Sequence, residues 1–184
     1  MFYYKVDDEI YLKLLELRDA EQVFALIDSG RSYLREWLPW VDANLSPEQS
    51  REFIALTLQQ FASNHGFQAG ITYRGQLAGL IGFHHVNWEH NQVSIGYWLG
   101  EDFQRRGIMT RACRAMVNIA FREYGLHRVE IRAGVGNQKS RAIPERLGFT
   151  LEGVCRQVER HPSGYIDHAV YGLLAEEWNG RYDA

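Results

Sequence analysis

Residues 108–124 restrict the possible folds of this chain more than any other stretch. Met109, Ala112, Cys113, Met116, Val117, Ala120 and Phe121 keep the i, i+3, i+4, i+7 spacing without a miss, which is the repeat of a helix with one buried face. Gly125 follows and stops it. Immediately upstream, the apolar run 91–99 reads as a strand, so the chain passes from strand through loop to helix within about twenty residues. A helix with one apolar stripe needs a sheet or another helix to bury it.

The sheet is supplied by short runs on both sides. Residues 9–16 predict a first strand, and 67–73, 77–85 and 91–99 predict three more, with a tight turn at Arg74-Gly75-Gln76. Later runs at 127–134, 149–160 and 165–174 complete the set, the last two joined by a turn at His161-Pro162-Ser163-Gly164. Between them lie helices. Asp19 reads as an N-cap for a helix carrying Val23, Phe24 and Ile27, and Tyr33–Val41 predicts a short helix ending before Pro39. Ser46-Pro47-Glu48-Gln49 is a helix start with the cap, the first-position proline and the glutamine of a capping box. That helix is expected to run to about Asn64 with Phe53, Leu58 and Phe61 inward, and a short helix is expected near 138–147. The order β-α-α-α-β-β-β-α-β-α-β-β predicts an α/β domain with a mixed, mostly antiparallel sheet.

At 184 residues the chain is long enough for one well-filled domain, expected to span 1–184. Twenty basic residues against twenty-three acidic ones give a net charge of −3. This argues against direct nucleic-acid binding, which needs a basic excess or stripe. No apolar run reaches the roughly 18 residues of a membrane helix, and the amino-terminal residues lack a signal-peptide core. Cys113 and Cys155 form neither a disulfide framework nor a zinc ribbon. The expectation is a cytoplasmic chain with no membrane partner.

Chemistry concentrates in the loop Gln104-Arg105-Arg106-Gly107. A helix start presents unpaired N–H groups and the positive end of the dipole. Gly107 lets backbone approach a ligand, and Arg105 and Arg106 add charge for a polyphosphate. The plainer reading is a strand-to-helix turn with two solvated arginines. No Gly-Lys-Ser/Thr follows and no Gly-x-Gly-x-x-Gly is present, so neither a Walker loop nor a Rossmann site is at hand.

Gln104-Arg105-Arg106-Gly107 between a strand and a helix resembles the Q/R-x-x-G-x-G/A acetyl-CoA signature of the GNAT superfamily of N-acetyltransferases. Asn137-Gln138-Lys139-Ser140, then Arg146-Leu147-Gly148-Phe149 and Leu151-Glu152-Gly153, resembles the second signature of its RimJ/RimL-type ribosomal-protein branch. Met109 departs from the pattern, standing where many members carry Gly or Ala. The resemblance implies a GNAT fold whose central sheet is splayed, with acetyl-CoA lying where strand 91–99 leaves strand 127–134. It implies that the backbone of Tyr97, Trp98 and Leu99 pairs with the pantetheine arm. The N–H groups of Gln104, Arg105, Arg106, Gly107, Ile108, Met109 and Thr110 would hold the pyrophosphate, and Asn137 would contact the arm near the thioester. By the same resemblance Ser140 meets the departing thiolate and Glu159 is the base, while a homodimer is implied at the level of assembly.

Each has a plainer alternative: Ser140 as the N-cap of helix 138–147, and Glu159 as an idle charge near a hairpin end. His84, His85 and His90 do not make a metal pattern, because adjacent histidines on a strand face opposite sides, and no metal is expected. Trp37 and Trp40 are candidates to line the acceptor entrance, and Asp167-His168 reads equally as a structural pair or an acceptor contact. The implied reaction is direct attack of a primary amine on acetyl-CoA in a ternary complex. A protein α-amine is the favoured acceptor, since its pKa of about 7.7–8.0 makes its deprotonation cheaper than that of lysine, near 10.4, by an amount approaching ~4 kcal/mol. The alternatives are a polyamine, amino sugar or aminoglycoside acceptor, or a non-catalytic acyl-CoA-binding module.

Overall fold

The computed structural model describes residues 3–178; the ends of the expected 1–184 domain lie outside the described residues. Eight strands follow the order β1-β2-β3-β4-β5-β6-β8-β7 in a mixed, mostly antiparallel sheet flanked by helices. They are β1 (Tyr3–Lys5), β2 (Ile10–Leu14), β3 (Gln68–Tyr73), β4 (Gln76–Phe83), β5 (Gln92–Leu99), β6 (Arg128–Gly134), β7 (Thr150–His161) and β8 (Gly164–Leu174). The helices are α1 (Ala20–Ser29), α2 (Arg31–Leu34), α3 (Pro47–Ala62), α4 (Ile108–Asn118), α5 (Gln138–Arg146) and α6 (Ala175–Trp178). The described residues divide into two compact units, one of 3–82 with Tyr97–Ala112, the other of Phe83–Gly96 with 113–178.

In the first unit β1 to β4 form an antiparallel meander, Tyr4 opposite Leu12 and Leu12 opposite Ile71. Arg74 and Gly75 take positive φ of 49° and 81°, as a two-residue hairpin turn requires. Beyond its middle, β5 lies close to β4, and Gly100 N donates to Ala78 O at 2.8 Å. Gly79 permits this approach, because a Cβ there would stand 2.3 Å from the Trp98 carbonyl oxygen. Helices α1 and α3 close the core through Val23, Ile27, Leu34, Val41 and Ile54.

In the second unit β5 runs parallel to β6, Gln92–Ser94 against Arg128–Glu130, and β6 pairs antiparallel with β8 along its whole length. Strand β7 pairs with β8 through two bulges, one between Leu151 and Gly153 and one between Cys155 and Glu159. Helix α4 carries the predicted stripe, Ala112, Cys113, Met116, Val117 and Ala120 being fully buried or nearly so. Its last turn widens to a π-turn over Ile119–Glu123 before Gly125 at φ 65°.

Three local expectations are corrected. Strand β1 is additional, its three residues being too few for an alternation to register in the sequence. The second helix covers Arg31–Leu34 instead of the stretch before Pro39, and Pro39 begins a 3-10 turn, as its fixed φ and missing N–H allow at a helix start. Phe53 and Phe61 are exposed on α3, whose inward face is Ser50, Ile54 and Thr57. Phe61 instead meets Phe67 edge-on at 6.5 Å, and Thr57 satisfies its hydroxyl on the Ile54 carbonyl. The Ser46–Gln49 capping box of α3 is formed as expected.

Candidate functional site

The first group of candidates lies in the first unit, where β5 ends and α4 begins. Tyr97, Trp98 and Leu99 are all half-buried, and Trp98 packs against the α1–α3 core with Trp40 tilted over it at 6.2 Å. Trp40 is exposed, so this aromatic pair has one wet side. The loop Gln104–Gly107 holds two left-handed residues, Arg105 at φ 60° and Gly107 at φ 68°. A Cβ on Gly107 would meet no atom within 4 Å. Packing therefore does not demand glycine there; the backbone conformation does, and it leaves open space ahead of the helix. The amides of Ile108, Met109 and Thr110 form the first turn of α4, with no helical carbonyl four residues back to accept from them.

Arg105 in the left-handed region costs about 1–2 kcal/mol, and such strain persists only where neighbours over-determine it. Arg111, which the sequence did not single out, engages the carbonyl of the next residue, Arg106. Its Nη1 is held by Asp7 at 2.8 Å and Glu9 at 3.1 Å, and its Nη2 donates to the Arg106 carbonyl at 3.3 Å. Asp7 is itself fixed, its other oxygen accepting from the amides of Glu9 and Ile10. Burial pushes the Asp7 carboxyl up, but those two N–H groups and the Arg111 guanidinium outweigh it and hold it below its ordinary value. Arg111 and Asp7 stand 104 positions apart, and no spacing signal links residues so distant. Arg106 is turned toward Tyr73, its guanidinium 5.9 Å from the ring centre, and donates to the Asp102 carbonyl at 3.2 Å.

The second group lies in the second unit, at the ends of β6 and the β7–β8 hairpin. Asn137 is the N-cap of α5, and its Oδ1 accepts from the amide of Ser140 at 3.1 Å. Ser140 is thus the third residue of the helix, and the alternative that made it the cap is replaced by Asn137. Glu159 Oε2 meets His168 Nε2 at 2.9 Å across the hairpin. His84, at the start of the turn after β4, is exposed at the surface, yet desolvation of its ring by the packed neighbours pushes its imidazole pKa down; its ring fills the space a Cβ on Gly96 would need. Burial also pushes the Cys113 thiol up, so it is an inert core residue.

A strand that delivers its end to a glycine-bearing loop, followed by an open helix start, is an arrangement able to hold an anionic ligand. The acetyltransferase (GNAT) domain profile matches residues 9–150. YdaF of Bacillus subtilis (strain 168), whose name places it provisionally among ribosomal N-acetyltransferases, is 40% identical over 98% of this chain and 99% of its own. A solved microcin self-immunity acetyltransferase in complex with acetyl-CoA and AMP is 30% identical, covers 92% of this chain and 94% of its own, and superposes with a TM-score of 0.88. RimL, a ribosomal-protein α-N-acetyltransferase solved with coenzyme A, is 25% identical, covers 96% of this chain and 99% of its own, and reaches 0.92. The chain belongs to the GNAT acetyltransferase family. It is an N-acetyltransferase.

Proposed function

We propose that this chain transfers the acetyl group of acetyl-CoA to the α-amine of a protein N-terminus, a ribosomal protein being the favoured class. The observation that carries the cofactor half is the left-handed loop at Arg105–Gly107 opening directly into the first turn of α4. In this reading the amides of Gln104 to Thr110 hold the pyrophosphate, the backbone of Tyr97, Trp98 and Leu99 pairs with the pantetheine arm, and Asn137 contacts it nearer the thioester. The acceptor half is supported by the likeness to RimL, an α-N-protein acetyltransferase, and to YdaF.

The chemistry is direct transfer. The acceptor ammonium gives one proton to Glu159 and on to solvent, and the freed lone pair forms the C–N bond at the thioester carbon. The C–S bond breaks with its electrons on sulfur. Ser140 donates a hydrogen bond to the thiolate until the second nitrogen proton neutralises it, so the products are an amide, the coenzyme A thiol and one proton. The second reading, the same transfer to a small-molecule amine, is favoured by the 30% identity to a self-immunity acetyltransferase.

Thiol release from acetyl-CoA, followed with a thiol dye, separates the readings. Peptides beginning with Ser, Ala or Met are expected to release thiol faster than polyamines, amino sugars or aminoglycosides at equal concentration. Release with the small amines alone reverses the assignment of acceptor. Saturable acetyl-CoA binding with no release for any amine supports a binding module instead.

A further inference from the structure

We propose that His168 is the positioning residue of Glu159, holding one carboxylate oxygen so that the other faces the acceptor amine. The inference rests on Glu159 as the base. The imidazole Nε2 lies 2.9 Å from Glu159 Oε2, and a carboxylate only accepts, so Nε2 carries the hydrogen. One oxygen is therefore engaged and the other, Oε1, remains for a proton from the acceptor.

The fold gives His168 little freedom. Its backbone sits in β8 between two neighbours, opposite Gly134 of β6 and Cys155 of β7. Its side chain is 18% exposed, while that of Glu159 is 35% exposed, so the histidine is the more anchored member of the pair. The bulge in β7 brings the two together. Cys155 pairs with His168, and regular alternation would then place Gln157 opposite Ile166; instead Glu159 takes that place. Glu159 becomes the diagonal neighbour of His168 on one face of the hairpin.

The residue before His168 secures the same arrangement twice. Asp167 Oδ1 accepts from the Gln157 amide at 2.8 Å, which holds the bulge at the point where Gln157 takes a positive φ of 53°. The Asp167 carbonyl accepts from Val135 N at 2.9 Å, tying β8 to the turn that leads into Asn137 and Ser140. Asp167-His168 thus fixes both segments that carry the proposed catalytic side chains.

The test is a double-mutant cycle on the full chain with a peptide acceptor. His168→Val suits a strand but cannot donate, and it is expected to lower kcat by about tenfold to a hundredfold, the cost of a misplaced catalytic group. The KM for acetyl-CoA should stay within about twofold, because no cofactor contact is removed. His168→Gln, which places an amide N–H near the position of Nε2, should restore kcat to within about threefold of the parent. In a Glu159→Gln background, His168→Val should lower kcat no further, because a residue that acts through another has no independent effect. Equal losses in both backgrounds, an unimpaired His168→Val, or a His168→Gln as slow as His168→Val would each overturn the inference while leaving the base in place. A Glu159→Gln variant as fast as the parent removes the base itself, which is a separate and distinguishable failure. Should His168→Val fail to fold, His168→Leu, which fills the same space without a donor, takes its place in the same cycle with the same expected outcomes.

Discussion

At the residue scale the proposed chemistry divides between Glu159 and Ser140, and pH separates their roles. Glu159→Gln is expected to lower turnover at pH 7 by on the order of 10²–10⁴-fold with little change in acetyl-CoA affinity. The defect should narrow as the pH rises past about 8, where an α-amine is neutral without help. Ser140→Ala should cost less and show little dependence on pH, since a thiol of pKa about 8.5 leaves readily as the anion. Rate profiles of both variants from pH 6 to 9 check this, and a flat, parent-like profile for Glu159→Gln contradicts the base. Ser140 and Glu159 were legible as candidates only through the family resemblance, Ser140 lying within its second motif. The partner of Glu159 was not, because the Cys155–Glu159 bulge changes which residue faces which. No alternation in the sequence announces such an insertion. Gln157, at φ 53°, is not the glycine that would have advertised it.

At the scale of elements, α4 and the loop before it were the most legible part of the molecule. The stripe from Met109 to Ala120 is a local repeat, and local repeats survive the absence of tertiary information. What holds the loop was illegible, since Arg111 is buttressed by Asp7 and Glu9 from the far end of the chain. Arg111→Gln removes the donor to the Arg106 carbonyl and frees Arg105 to leave its left-handed conformation. Coenzyme A binding, measured by calorimetry, should weaken by about tenfold, the equivalent of about 1.4 kcal/mol spent on restoring the loop. Unchanged affinity would mean that the loop keeps its shape unaided. The same buttress has an acid limit. The Asp7 carboxyl is depressed in the folded chain, so its contribution to stability is complete above the unfolded value of about 3.9 and disappears as the pH falls through the lower folded one. Thermal unfolding followed from pH 5 down to about pH 2 should show a steeper decline below about pH 4 for the parent than for Asp7→Asn. Phe53 and Phe61 were misplaced for a related reason: large apolar residues on α3 resemble a core face in the sequence. The buried positions went to Ser50 and Thr57, small enough to let the helix lie close.

For the whole molecule, the alternation of strands and helices was enough to name the class of fold, because short apolar runs separated by turns admit few architectures. The order β6-β8-β7 was not readable, since the hairpin inserts its second strand beside β6 and only tertiary pairing decides that. We propose that the chain is a homodimer, a reading that the exposed Leu151, Val154 and Val158 on the terminal strand β7 fit. Light scattering at micromolar concentration should give twice the chain mass; a monomer at every concentration contradicts it. The choice of acceptor amine is read directly from one peptide. A peptide with a free N-terminal serine and one internal lysine is incubated with the enzyme and acetyl-CoA, beside the same peptide blocked at its α-amine, and the acetylated position is located by mass spectrometry. One acetyl group is expected, on the α-amine of the free peptide, and none on the blocked one. Acetylation of the lysine in both peptides, or of neither peptide while a small amine is consumed, would contradict it.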